Sequence, residues 1–438
     1  MLYFEMENNP EDSRDTTIRN MQHVSDASRV FRLLVSACSP IWVELPLPNE
    51  HLTTRALKAT QGKQLTLRVG YTQSTEDWRS TKSAVEFVTK ESDDAKRVST
   101  LDIYLSNEAS IRAFALFRHG DLSGVQELRL ENRTTSFNAT YRAVNWGAVA
   151  KLELTDVLMD DDLNIPSSVE SFTLRYQELT FEYPQTLEAI ARFQFLKELA
   201  IHSSTKLSAS ADAASESARP RALPPLARFE VVGDWRLCAL LLNWAKLSPE
   251  CRIVVEADDV VDNIDLAGEY LMYAGYTLQD NTVNVTSALT AVASHFGNQR
   301  RTTLDHVRIN QSGKDNNKAT LDFRYANGAG GIQTYFTLTV KLPDLIDTVP
   351  DVLPHRLLAK HPCFWGPTRM SIQGTAIFIN NEILNAIYLR KKGVCMGAKE
   401  LDICVKPAGT DLGAEHRILS NLGIAFGNRM TVRLERLV

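Results

Sequence analysis

Few residues in this chain stand at spacings that bond-making chemistry would use. His355 and His361, with Cys363 two positions on, come nearest to a metal-binding run. A tetrahedral zinc site needs a second pair of ligands, however, and a proline stands beside each histidine. Asp160, Asp161 and Asp162 are contiguous, whereas a calcium loop alternates its oxygen ligands and turns on a glycine. They read as a solvated connection. The stretch NGAGG, Asn327 to Gly331, has no Gly-Lys-Ser/Thr after it and reads as a turn rather than a phosphate loop. No G-x-S-x-G, H-E-x-x-H or kinase motif set occurs. The sequence nominates no catalytic residue, metal ligand or cofactor site, and the expectation is a protein that is not an enzyme.

The side chains that do recur at a fixed spacing are those of recognition. They flank pairs of apolar residues placed two apart, so on a strand they face away from those residues. The positions between and after the apolar pair are Asp102 and Tyr104, Arg129 and Glu131, Glu153 and Thr155, Thr173 and Arg175, Ala200 and His202, Glu230 and Val232, and Arg308 and Asn310. A surface built from these mixes both signs of charge with one aromatic ring. That chemistry fits a polar protein ligand, whereas nucleic acid calls for a continuous basic stripe and lipid for an apolar groove.

The elements that must position these residues come from one pattern, apolar-x-x-apolar-x-apolar. It returns as Val98/Leu101/Ile103, Val125/Leu128/Leu130, Val149/Leu152/Leu154, Val169/Phe172/Leu174, Leu196/Leu199/Ile201 and Leu226/Phe229/Val231, at steps of 27, 24, 20, 27 and 30 residues. Such steps belong to leucine-rich-type repeats, and most intervening segments can hold one helix. A strand with one apolar face cannot bury it alone. The repeats are therefore expected to stack into an irregular α/β solenoid, a horseshoe. A further full copy stands at Leu304/Val307/Ile309. Weaker copies are expected at Ile253/Val255 and Val283/Val285, with fragments at Leu67/Val69, Leu401/Ile403 and Val432/Leu434. The position where regular leucine-rich repeats carry Asn or Cys holds Ser106, Arg133, Val157, Gln177, Ser204 and Asp234 instead. That departure predicts loosely related repeats.

Composition narrows the partners. With 438 residues, 44% hydrophobic and 23% charged, the chain can hold a long repeat array. Its net charge of −5, with Lys and Arg scattered, gives no electrostatic footprint for nucleic acid. No apolar run reaches the length of a membrane span; the richest, Leu237 to Ala245, fits one buried helix. The first 20 residues carry no signal-peptide pattern, and the six cysteines show no paired spacing. The expectation is a cytoplasmic or nuclear protein with reduced thiols.

The segment from Val24 to Leu45 reads as a helix stopped by Pro40 and followed by Trp42. Val24, Ser25, Ser28, Arg29, Phe31 and Arg32, then Pro40, Ile41 and Trp42, resemble the second half of an F-box motif. The sequence from Ala56 and Leu57 through Gly62 to Tyr71 is similar to the junction joining that motif to degenerate leucine-rich repeats in the large F-box-like families of mushroom-forming fungi. The resemblance implies a substrate receptor of an SCF-type ubiquitin ligase that docks a Skp-type adaptor through Val24, Arg29, Phe31, Arg32, Pro40 and Trp42. The Leu-Pro-x-Glu first half of the motif does not precede Val24. The alternative is a non-degradative scaffold whose N-terminal helix caps the repeat core.

The expected organisation is a disordered tail over 1–20, a truncated F-box-like segment over 21–50 and the repeat array over 60–438. A Ser/Ala/Pro-rich insertion over 205–225 is expected to be disordered. A glycine-turned hairpin is expected over 316–343, and helices over Gln185 to Phe193, Glu382 to Lys391 and Ala414 to Phe426.

Overall fold

The computed structural model describes residues 43–45, 49–70, 77–88, 92–114, 124–134, 139–141, 148–159, 168–179, 185–205, 221–248, 250–260, 278–297, 303–312, 318–326, 332–341, 364, 369–375, 378–379, 400–405 and 431–436. The architecture is mixed α/β with mostly parallel strand pairing. The chain divides into two compact units, Met1–Leu196 and Lys197–Val438.

The first unit runs β1 (Glu44–Leu45), α1 (Glu50–Ala59), β2 (Leu65–Val69), α2 (Asp77–Val88), β3 (Val98–Leu105), α3 (Glu108–Phe114), β4 (Glu127–Asn132), β5 (Ala139–Tyr141), β6 (Lys151–Thr155), β7 (Val157–Met159), β8 (Ser171–Tyr176) and α4 (Gln185–Ile190). Strands β1, β2, β3, β4, β6 and β8 are neighbours in that order and all parallel, while β5 and β7 form a separate parallel pair. Parallel neighbours require a crossover between strands, and helices or loops supply it. The register stacks the repeated apolar residues into columns. Leu67, Leu101, Leu128, Leu152 and Phe172 align across five strands, as do Val69, Ile103, Leu130, Leu154 and Leu174. All ten are buried, each contributing about 1.5–3 kcal/mol by leaving water. Phe193, just past α4, meets Phe172 at 5.0 Å between ring centroids, so the apolar face is the one the helical side covers.

Two local devices keep this register. Gly70 ends β2 at φ +83, and a β-carbon there would collide with the Tyr104 carbonyl oxygen on β3. Asp156, between β6 and β7, is buried at φ 50. Its Oδ1 accepts hydrogen bonds from the backbone N–H groups of Gln177 (2.8 Å), Glu178 (3.0 Å) and Leu179 (3.1 Å) beyond β8. One carboxylate thus satisfies three backbone donors of the turn that follows the neighbouring strand.

The second unit runs β9 (Glu198–Ser203), β10 (Arg221–Ala222), β11 (Arg228–Gly233), α5 (Trp235–Trp244), β12 (Ala245–Lys246), β13 (Arg252–Val260), α6 (Leu278–Gly297), β14 (Thr303–Ser312), β15 (Lys318–Ala326), β16 (Ile332–Lys341), β17 (Arg369–Gly374), β18 (Glu400–Val405) and β19 (Thr431–Arg436). The spatial order is β9-β11-β13-β16-β15-β14-β17-β18-β19, and β15 alone among these strands runs antiparallel to its neighbours. Asp234 caps α5 by accepting from the Leu237 N–H at 2.7 Å, and the expected buried helix follows it. Phe296 at the end of α6 stacks on Tyr325 at 5.2 Å, while Phe323 and Phe336 stack at 5.2 Å beside it. This aromatic cluster forms the core under α6.

Three expectations need correction. Val283 and Val285 lie on α6, not on a strand: Val285, Ala288, Leu289, Val292 and Phe296 are all buried, and their helical period overrides the two-residue spacing. The end of the 205–225 insertion is ordered, since Arg221–Ala222 pairs in parallel with Ala245–Lys246. The expected hairpin strands do pair antiparallel, but β14 joins them as a third strand, so the unit there is a meander. The 1–20 tail, the F-box-like residues Val24 to Trp42, Ser208 to Ala218, NGAGG, the two C-terminal helices, His355, His361, Cys363 and Asp160 to Asp162 lie outside the described residues.

Candidate functional site

In the first unit, the face opposite the apolar columns carries a row of charges whose neighbours alternate in sign. The register places Arg68 of β2 beside Asp102 of β3, Asp102 beside Arg129 of β4, and Arg129 beside Glu153 of β6. Strand alternation fixes each of these side chains outward, because the residues on either side of it belong to the buried columns. Glu153 is opposite Thr173 of β8, and Arg175, two residues on, donates from Nε to Glu153 Oε1 at 2.9 Å. Arg68 Nε donates to Asp102 Oδ2 at 3.0 Å and approaches Glu44 of β1 at 3.6 Å. Arg129 lies between three carboxylates: Glu127 at 3.1 Å, Glu153 at 3.4 Å and Asp102 at 4.0 Å. Lys151 closes the lower edge on Glu127 at 2.6 Å. At the upper edge Arg133 donates to Glu131 Oε1 at 2.8 Å and holds its guanidinium 4.6 Å from the Tyr104 ring centroid.

The members of the row differ in exposure as well as in sign. Side-chain exposures are 41% for Arg68, 42% for Arg129 and 38% for Arg175, against 2% for Asp102, 23% for Glu153 and 26% for Glu127. Along this row the arginine side chains are the more exposed members and the carboxylate side chains the less exposed ones. Burial holds the Asp102 carboxyl above its usual value against the pull of Arg129 and Arg68. For Arg129, burial alone would lower the value, but Asp102, Glu127 and Glu153 outweigh it and raise it. Burial would likewise raise Glu127, and Lys151 and Arg129 hold it below its usual value instead.

The expected ligand residues are outward positions with two corrections, of which Thr155 is one, since it is buried. Tyr104, Arg129, Glu131, Glu153, Thr173 and Arg175 are half-buried on the outward side of the first unit. Asp102 is on the same side but buried, because its short side chain lies under the two flanking arginines, and it cannot itself touch a ligand. His202, Glu230 and Arg308 are half-buried outward positions of the second unit. Glu230 Oε1 is 3.1 Å from His202 Nε2, and Glu230 Oε2 accepts from Arg228. These contacts, the His202 bond first, hold the Glu230 carboxyl down at about 2. Arg308 donates to Gln373 of β17 at 3.2 Å. The sequence reading missed Glu44, Arg68, Glu127, Arg133 and Lys151. The signal for Arg68 was its place between Leu67 and Val69, and for Glu127 and Lys151 the extension of each strand's alternation by two residues.

His306 Nε2 and Ser371 Oγ are 2.7 Å apart across β14 and β17. Burial, then Arg324 and Arg369, hold His306 below its ordinary value. The pair links the two parallel strands. Burial pushes the Cys251 thiol up to about 12, where it keeps its proton. Among the described residues no cluster of His, Cys, Asp and Glu could hold a metal ion, and no helix is long and apolar enough to cross a membrane. Comparison with protein-family models, curated proteins and solved structures finds no match in any of the three.

Proposed function

We propose that this chain is a protein-binding solenoid of the leucine-rich-repeat type, and that it serves as a substrate receptor of an SCF-type ubiquitin ligase through its F-box-like N-terminal segment. The observation that carries the binding reading is the outward charged face of the first unit. Its strands are held in register by two buried apolar columns, and the face presents arginines on an ordered backbone. Side chains on strands are positioned more sharply than on loops, which favours recognition. The same columns support the repeat reading, since each repeat contributes one residue to each column. The receptor role rests on the resemblance of Val24, Arg29, Phe31, Arg32, Pro40 and Trp42 to the second half of an F-box.

Two measurements test the reading. Affinity capture with the full chain identifies protein ligands, and the triple variant Tyr104→Ala/Arg129→Gln/Arg175→Gln should lose them while still folded. Unchanged capture by the folded variant removes this face from the site. Titration against a purified Skp-type adaptor tests the receptor role, with Phe31→Ala expected to weaken binding. Ligand capture without adaptor binding leaves the scaffold role in its place.

A further inference from the structure

We infer that the outward face of β14 and β15 in the second unit binds a phosphoryl group, gripped between Arg324 and Arg308 beside the His306–Ser371 pair. The inference goes beyond the protein-binding reading, which the first unit carries. Register makes the two arginines diagonal neighbours, since His306 stands opposite Arg324 and Arg308 opposite Asp322. Both point away from the core, because Val307, Ile309, Phe323 and Tyr325 beside them are buried. Neighbouring strands lie about 4.8 Å apart, so two long side chains on them can converge on one group. Among the described residues neither guanidinium forms an ion pair. Arg308 uses Nη2 on Gln373 at 3.2 Å, and Arg324 Nε is shut off from solvent with no acceptor. A buried donor without an acceptor is costly, and an anion that draws the guanidinium towards itself removes that cost.

The neighbouring charges are drawn away from this strip. Asp322, opposite Arg308, accepts from Thr337 Oγ1 of β16 at 2.8 Å. Arg369, opposite His306, donates from Nε to Glu400 of β18 at 2.8 Å. Asp402 stands opposite Ser371 one strand further out, and Asp305 occupies the irregularity before His306. Their balance shows at the ring: burial first, then Arg324 and Arg369, hold His306 below its ordinary value, and Asp305 and Asp402 oppose this with smaller effect. The ring is neutral at neutral pH, in cationic surroundings. The donor set favours phosphate over carboxylate. One guanidinium fork satisfies both oxygens of a carboxylate, whereas a phosphate monoester brings three terminal oxygens and close to two charges. Arg324, Arg308 and the Ser371 hydroxyl, opposite Arg308, supply donors for all three. The dianion would also favour protonation of His306 from solution. Protonated His306 donates from Nε2 to Ser371 Oγ, which leaves the hydroxyl proton for the phosphate.

The test uses the full chain with isotope-labelled histidine, and inorganic phosphate, acetate and a capped Gly-phosphoserine-Gly peptide as probes at matched ionic strength. His306→Gln assigns the NMR signal of the ring. Phosphate should bind and raise the His306 titration midpoint by about one pH unit, while acetate should leave it in place. Arg324→Gln should weaken phosphate about tenfold, the equivalent of about 1.4 kcal/mol, and abolish the phosphate-dependent change. Thermal melting establishes that the variant is folded, and Arg308→Gln reads the same loss if Arg324→Gln does not fold. Tighter binding of the peptide than of phosphate makes a phosphorylated polypeptide the source, and equal or weaker binding makes it a small phosphate; both support the site. No phosphate-dependent change at His306, an equal change with acetate, or unchanged phosphate affinity in a folded arginine variant overturns the inference. Its loss would leave the first unit's charged face, and the protein-binding reading with it, as they stand.

Discussion

Removing the Arg129 guanidinium should destabilise the first unit, and removing Asp102 along with it should restore most of the loss. Arg129→Met keeps the aliphatic stem but leaves Glu127, Glu153 and Asp102 without their shared cation. Breaking a buried pair by deleting one member costs about 3–5 kcal/mol. Arg129 is 42% exposed, and Arg68 still bonds Asp102, so solvent and the second arginine reduce the cost to roughly 2–3 kcal/mol. Asp102→Leu should fall within about 1 kcal/mol of the parent, because burial is the largest influence on that carboxyl and a buried ion pair gains little over packed apolar groups. The double variant should then sit well above the single Arg129→Met, a coupling of roughly 1.5 kcal/mol or more. The pH dependence has a definite sign. A carboxyl raised in the folded state contributes stability below its unfolded value and loses it as pH rises through the folded value. Asp102→Leu should therefore improve relative to the parent as pH rises above the carboxyl's unfolded value. Urea denaturation of the full chain, with hydrogen exchange at the β3 and β4 amides to assign the transition, measures all four corners of the cycle. Additive effects, or a loss above about 3 kcal/mol for Asp102→Leu, would refute the picture of an arginine-covered, desolvated carboxylate.

Glu230 should give the second unit an acid-sensitive step of the opposite sign. Its carboxyl is lowered from 4.5 to about 2 by His202 and Arg228, so its contribution is present above the unfolded value and lost as pH falls through that window. Undiscounted this amounts to about 3 kcal/mol, and solvent screening brings it to roughly 1–2; Glu230→Gln should flatten the unfolding free energy between pH 4.5 and 2, and a parallel profile would contradict the assignment. Asp156→Ala should cost about 2–4 kcal/mol, from three lost backbone hydrogen bonds and a left-handed φ that alanine resists. Asp156→Asn keeps Oδ1 and tolerates that φ, so its urea midpoint should lie much closer to the parent's.

What the sequence made legible was the part of the fold that depends on neighbours in the chain. Alternation of apolar and polar residues placed Leu101 and Ile103, Leu128 and Leu130, and Leu152 and Leu154 on one face and their neighbours on the other, as the burial bears out. It failed where a short spacing served two periods. Val283 and Val285 satisfy a strand in isolation, and only the run through Val292 and Phe296 shows the helix. The helix Glu50–Ala59, which lies between the parallel strands β1 and β2, was not expected either. Asp102 was misjudged for a different reason: its burial is produced by arginines 34 residues before it and 27 after it, brought alongside by register alone.

That dependence on register gives the charged face its meaning. The residue between the apolar pair of each successive strand reads Arg68, Asp102, Arg129, Glu153, so the alternation of sign was present in the sequence, one repeat apart. It becomes a physical row only because the columns of Leu and Val hold every strand in step. A slip of one residue on any strand would turn its apolar pair to the outside and its charge into the core. The apolar columns and the ion row therefore specify the same register from opposite faces of one sheet. The carboxylates are the less exposed members and the arginines the more exposed, so the arrangement that fixes the strands also leaves the cations the more accessible to solvent. A partner that competes for those arginines would draw on donors already held in place by the fold, with little side-chain freedom left to lose on binding.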